Sequence, residues 1–191
     1  MFSWRRPSDA AIRTFIAAQA AEPFSYADVG ATSGTVPAGY AVNHHRVCLG
    51  VGRQAFERAV DALQRWHMFA IEGVELCWPD TPQQPGSTVA ILAGGGPFWS
   101  LNACRVVYVI DEPGPPVRRG FAYGTLPAHA VRGEERFVIE WSPDSDEVRY
   151  ELLAYSQPGT AWLRAAAPLL RMVQRRFARG SLAAMRRAVG A

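Results

Sequence analysis

No lysine occurs anywhere in the chain, and all twenty basic residues are arginine. Schiff-base and lysine-nucleophile chemistry are thereby excluded, because both need a side-chain amine that can lose its proton. Acids are missing from one end of the sequence, since none follows Glu151. Up to that residue there are thirteen Arg against seventeen acids, a balance of −4; beyond it stand seven Arg and no acid, a balance of +7. Cysteine is sparse and odd in number: Cys48, Cys77 and Cys104 are too widely spaced for a CxxC metal site and too few for a disulfide framework. Each lies in an apolar stretch, so reduced core thiols are expected. No apolar run approaches the roughly 18 residues of a membrane span. Met1 to Arg6 carries charge with no apolar region after it, so no secretory leader is visible and a cytoplasmic protein is expected.

Core material, by contrast, is ample. Apolar residues make up 49 % of the 191 and charged residues 19 %, which suits one folded domain over 1–191. Residues 1–22 read as a helical extension and 23–189 as the core of the fold. Ser8 to Ala20 is helical, with Ser8 or Asp9 as cap and Ile12, Phe15 and Ile16 on one face. Pro23 to Gly39 is an ordered loop, and Tyr40 to Gly50 a strand. Arg53 to Trp66 is a second helix, because Phe56, Val60, Leu63 and Trp66 recur at three- and four-residue steps. Met68–Trp78, Thr88–Leu92, Ser100–Asp111, Arg119–Leu126, Glu134–Trp141 and Val148–Ser156 are strand-like runs separated by Pro- and Gly-rich turns. Thr160 to Val189 is a long helix, with Leu163, Ala166, Leu170, Val173 and Phe177 on one stripe that Leu182, Met185 and Val189 resume; Pro168 kinks it or marks its regular start.

Short turns between consecutive strands dictate an antiparallel meander, since parallel pairing needs crossovers of about a dozen residues. Such a sheet has one face to bury, and the last helix is its cover. The order predicts an α+β fold of the helix-grip (START-like, Bet v 1-like) kind: a curved antiparallel sheet of six to seven strands on a long C-terminal helix, with an extra N-terminal helix. The gap between sheet and helix in that architecture commonly holds a ligand, which is an analogy of fold.

Several stretches carry a more specific likeness: Val74-Glu75-Leu76-Cys77, Leu101-Asn102-Ala103-Cys104-Arg105-Val106-Val107-Tyr108, Phe121-Ala122-Tyr123-Gly124-Thr125-Leu126-Pro127 with His129, and Gly133-Glu134-Glu135-Arg136-Phe137. With Arg175-Arg176-Phe177-Ala178-Arg179 and Ser181-Leu182-Ala183-Ala184-Met185, these resemble a family of bacteria and plants catalogued as domain of unknown function nineteen-ninety. The resemblance covers roughly Phe24 to Val189. It brings no activity with it. One departure is Gly94-Gly95-Gly96, where relatives tend to carry bulkier residues.

The densest polar cluster is Tyr123, Thr125, His129, Arg132, Glu134, Glu135 and Arg136, over two strands and their turn. Pairing as a hairpin would bring Tyr123 near Glu134 or Glu135, with His129 at the turn. A histidine beside a carboxylate and a phenol can do general acid–base chemistry; the alternative is a solvated turn in which Arg132, Glu134 and Arg136 alternate as surface residues do. Strand alternation puts Asn102, Cys104, Val106 and Tyr108 on one face and Arg105 among apolar residues on the other. A buried arginine needs a ligand carboxylate, a carbonyl or an internal acid such as Glu140 or Glu75. Trp66, Tyr155 and Trp162 are among the aromatics that can line a pocket. His44, His45 and His67 have no ligand spacing, and there is neither a P-loop nor a dinucleotide fingerprint nor a GxSxG elbow, so no metal and no cofactor are expected.

Three readings follow. The first is a binder of a small apolar or amphipathic molecule, anchored by Arg105, Tyr123 and His129 and lined by Asn102, Tyr108, Trp66, Tyr155 and Thr125. The second is a cyclase, dehydratase or isomerase of a polyketide- or lipid-like substrate, with His129 and Glu135 as acid and base and Tyr123 as donor. The third is a nucleic-acid or anionic-membrane module using the arginine-rich C-terminal helix.

Overall fold

A computed structural model describes residues 2–95, 98–160, 165 and 167–191. Strand β1 (Phe2–Ser3) leads into helix α1 (Asp9–Ala20), whose first turn is capped by the Ser8 hydroxyl accepting the Ala11 amide at 3.3 Å. After a loop with a single 3-10 turn (Ala31–Ser33) come β2 (Ala41–Val51) and α2 (Gly52–Gln64). A second 3-10 turn (His67–Phe69) precedes β3 (Val74–Cys77), β4 (Thr88–Gly95), β5 (Phe98–Glu112), β6 (Val117–Thr125), β7 (Val131–Ser142) and β8 (Glu147–Pro158). Helix α3 (Ala167–Val189) completes the described chain.

All pairings are antiparallel, in the order β2-β8-β7-β6-β5-β4-β3, with β1 added beside β5. The sheet curls into a half-barrel, and α2, the second 3-10 turn and α3 close its concave side, so the fold is a helix-grip. Bulges at Cys48–Gly50 on β2 and Val106–Tyr108 on β5 add a residue to one strand of the pair, which bends it.

Two cores result. On the concave side Phe56, Leu63, Trp66, Met68 and Phe69 meet Phe121, Phe137, Ile139, Tyr150 and Leu152 from the sheet and Met185 and Val189 from α3. Each large apolar side chain buried there stabilises the fold by about 1.5–3 kcal/mol. On the convex side Ile12, Phe15 and Ile16 of α1 pack on Cys77, Ala90, Leu92 and Leu101. The N-terminal helix is thus a cover for the outer face of β3, β4 and β5.

Three expectations need correction. Met68 to Trp78 is not one strand: Trp66 and Gly73 take left-handed φ values of 59° and 77°, so the chain turns twice and drops Phe69 into the core before β3 starts. Cys48 is exposed, while Cys77 and Cys104 are buried free thiols as expected. The stripe of α3 is buried only in its second half. Ala178, Ser181, Ala184, Met185 and Val189 are buried, whereas Val173 is 53 % exposed; Leu163 and Ala166 lie outside the described residues. Gly180 sets that seat, because a Cβ there would lie 2.8 Å from Ile71 Cγ2. Among the described residues no helix is long and apolar enough to cross a membrane.

Candidate functional site: a carboxyl on the concave face

Register fixes which side chains share the concave face. One row runs Val106 (β5), Tyr123 (β6), Glu135 (β7), Ala154 (β8) and Asn43 (β2). The Tyr123 hydroxyl donates to Glu135 Oε2 at 2.6 Å. Aromatic rings hold the phenol in place: Phe137 lies 5.2 Å from it edge-on, and Phe69 stacks at 6.2 Å. Phe69 in turn meets Phe177 of α3 at 5.5 Å.

Burial pushes the Glu135 carboxyl up to about 7, against a smaller downward pull from the Tyr123 hydroxyl. The Tyr123 phenol is raised well above its ordinary value, by burial first and by Glu135 next. Among the described residues no cation pairs with Glu135, and its Oε1 accepts no hydrogen bond. The residue as a whole is partly exposed. Near neutrality the group therefore exists in both forms, able to accept a proton or to give one.

Glu134, its neighbour, points to the convex face and is 3 % exposed. The reading of it as a solvated surface residue is wrong. Its two oxygens accept hydrogen bonds from Tyr26 Oη at 2.7 Å, the Gly30 amide at 2.6 Å, the Thr32 amide at 3.0 Å and the Thr32 hydroxyl. The 25–34 loop is thereby tied to the sheet. Gly124, opposite Glu134 on β6, makes room, since any Cβ there would overlap the Tyr26 ring. No local pattern announces this docking, because the donors lie 102 to 108 residues before Glu134.

Other predicted site residues disperse. His129 sits in the β6–β7 turn with Nδ1 3.1 Å from the Val131 amide, and burial lowers it to about 4, so it is neutral at ordinary pH. Among the described residues neither hydrogen bond nor ion pair links it to Glu135 or Tyr123. Arg105 faces outward, where its Nη2 donates to the carbonyls of Gln19, Ala20 and Glu22 at 3.1, 2.9 and 2.8 Å and its guanidinium lies 5.3 Å over Phe24. It closes the negative C-terminal end of α1. The acids suggested for it are engaged elsewhere, Glu75 by Arg6 and Glu140 by Arg118.

Tyr108 also faces outward, because the bulge at Val107 shifts it by one position; its hydroxyl is 2.7 Å from Thr32 Oγ1. Tyr155 is on the same outer face, donating to the Asp28 carbonyl and packing edge-on against Tyr26 and Tyr40. Asn102 holds the Ala130 amide at 3.2 Å, and Thr125 Oγ1 the Gly133 amide at 2.9 Å. Trp66 is concave but part of the solid core, with its indole donating to the Thr81 carbonyl at 3.0 Å. Trp162 lies outside the described residues. What the sequence reading overlooked on the concave side is Asn43 and Ser156, the latter held by Gln174 of α3 at 2.7 Å.

Described residues outline a groove on the convex face and a hollow along α3, and Tyr123, Glu135 and His129 line neither of these. The groove, of about 250 Å³, lies where Arg46 and Arg136 pair with Glu151 and Arg118 with Glu140. The hollow, of about 610 Å³, runs between Pro168 and Arg179. No group of His, Cys, Asp and Glu that could hold a metal ion occurs among the described residues.

The sheet, its gripping helix and the carboxyl beneath it define a helix-grip protein. The chain belongs to the family described as a domain of unknown function (DUF1990), which its residues 25–184 match. A UPF0548 protein of Dictyostelium discoideum is 33 % identical over 208 residues, covering 100 % of this chain and 96 % of that one. Another, of Deinococcus radiodurans, is 36 % identical over 203 residues and covers 100 % of both. The UPF0548 protein At2g17695 of Arabidopsis thaliana is 33 % identical over 156 residues, or 80 % of this chain and 75 % of its own. The family thus reaches beyond bacteria and plants to an amoeba. Among solved structures, norcoclaurine synthase from Thalictrum flavum in complex with dopamine and hydroxybenzaldehyde is similar with a TM-score of 0.49, 15 % identity and coverage of 78 % of this chain and 84 % of that one. The protein TTHA0849 from Thermus thermophilus has a TM-score of 0.49, 12 % identity and coverage of 78 % and 97 %.

Proposed function

We propose that the protein binds a small, mainly apolar molecule with one hydrogen-bonding group between the concave face of the sheet and α3, and that Glu135 and Tyr123 grip that group. The observation that carries this reading is the Glu135 carboxyl. It has a raised pKa, one oxygen held by Tyr123, and a second oxygen without a protein partner among the described residues. A carboxyl set among aromatics with no cation among the described residues beside it destabilises the fold when ionised, and groups perturbed in this way concentrate at functional sites. Gln174 in the first half of α3 donates to Ser156, two residues along β8 from Ala154, the register partner of Glu135.

A second reading rests on the same group. A carboxyl that titrates near 7 is matched to general acid–base work at neutral pH, with Tyr123 as the adjacent donor. It assigns the proton transfer to Glu135, with His129 as part of the turn that shapes the site.

Nile red, which is neutral and apolar and carries a carbonyl acceptor, tests the binding reading. Saturable fluorescence enhancement is expected, stronger below pH 7, where the protonated carboxyl can donate to the dye. Glu135→Leu and Tyr123→Phe should weaken it about ten-fold, the effect of one hydrogen bond to a poorly solvated group. Non-saturable uptake, or uptake indifferent to both substitutions and to pH, would overturn the proposal.

A further inference from the structure

The first half of α3 presents features that the concave site does not need. Arg171, Arg175, Arg176 and Arg179 border the 610 Å³ hollow with Pro168 and Met172. None of these four arginines makes an ion pair or a side-chain hydrogen bond among the described residues. Among the thirteen arginines before Glu151, Arg6, Arg46, Arg53, Arg65, Arg118, Arg119, Arg136 and Arg149 contact acids, Arg105 holds carbonyls and Arg13 lies over Trp78, whereas Arg5, Arg58 and Arg132 stand singly and form no such row along one helix. Helix electrostatics gives no reason for the difference. Cations are favoured in the last turn, where Arg186 and Arg187 stand, whereas Arg171 is close to the positive end of the helix.

Apolar side chains accompany this uncompensated charge. Leu169, Met172 and Val173 are 57, 60 and 53 % exposed, and their three- and four-residue spacing makes one stripe that Arg176 continues. A helix face with both exposed large apolar residues and unpaired arginines has the chemistry of an interfacial membrane contact. The apolar stripe enters the acyl boundary while the guanidinium groups meet lipid phosphates and keep their stems along the apolar surface. Nucleic acid would use the charge and leave the apolar stripe in water.

We infer that the first half of α3 is a docking surface for an anionic lipid bilayer. Each arginine adds to the attraction, and the apolar stripe gives the contact a component that salt does not screen. The concave-site reading is independent of this one, since Glu135 and Tyr123 take no part in the contact.

The test is co-sedimentation of the full chain with vesicles of phosphatidylglycerol and phosphatidylcholine, against pure phosphatidylcholine. Binding is expected to the anionic vesicles alone. Replacing Arg171, Arg175, Arg176 and Arg179 together by Gln should reduce it more than about ten-fold. The pair Leu169→Gln and Met172→Gln should reduce it about three-fold or more and leave a purely salt-sensitive remainder. These side chains are exposed, and unchanged thermal unfolding of the variants separates lost binding from lost fold. No preference for anionic vesicles would overturn the inference. So would binding of a DNA duplex that competes fully with vesicles and ignores the Leu169 and Met172 changes, because the surface would then belong to nucleic acid.

Discussion

Glu134 and Glu135 are consecutive on β7 and meet opposite fates. Strand alternation sends one to each face of the sheet. On the convex face Glu134 accepts four hydrogen bonds and fixes a loop; on the concave face Glu135 accepts one from the described residues, which leave its other oxygen unfilled, and it is raised to about 7. Burial alone therefore does not mark a functional carboxylate. The useful distinction is between an acid whose acceptor capacity is filled by the protein and one whose capacity is left over.

The comparison can be broken most forcefully from the convex side. Glu134→Ala leaves the Gly30 and Thr32 amides and the Tyr26 hydroxyl without their acceptor, and a loss of roughly 3 kcal/mol or more is expected in urea unfolding. Gly124→Ala drives a methyl into Tyr26 and should cost about 1–3 kcal/mol. Because both changes release the same tyrosine, the double variant should lose less than the two single losses combined.

On the concave side the expected signs differ. The Glu135 carboxyl is raised from 4.5 in the ordinary state to about 7 in the fold, so the folded chain binds more protons than the unfolded one between those values. Stability should then be highest below pH 4.5 as far as this group is concerned, and fall as pH rises towards 7. In Glu135→Gln that slope should vanish, leaving the variant more stable than the parent at pH 8 by about 1 kcal/mol or more. A variant less stable at pH 8 would mean that the carboxylate has a partner after all. The smallest effect belongs to Tyr123→Phe. Removing the hydroxyl that lowers Glu135 should move its titration above 7, followed by carbon-detected NMR of the carboxyl.

Much of this architecture was legible in the residues. Helix α2 and strands β5 to β8 follow their periodicities, because each buries one face against a single core. The hairpin that brings Tyr123 to Glu135 could be read from strand alternation and a Pro/Gly turn. Where reading failed, a single residue usually displaced the pattern. The extra Val107 turned Tyr108 outward, and Trp66 in a left-handed turn replaced half of an expected strand. Arg105 was rightly seen to need a partner, but helix-end carbonyls 83 to 86 residues away supplied it, and no local pattern reveals a contact of that separation. Glu134 was misread for the same reason: Tyr26, Gly30 and Thr32 reach it from across the sequence.

Gly180 and Gln174 fasten α3 at two points. The close seat against Ile71 fixes the helix near its middle, and six residues earlier Gln174 donates to Ser156 of the sheet. The two fastenings differ in kind, one a steric seat that a single methyl group would spoil and the other a single polar bond, so the helix is pinned firmly at its packed half and tacked to the sheet by one hydrogen bond nearer its start.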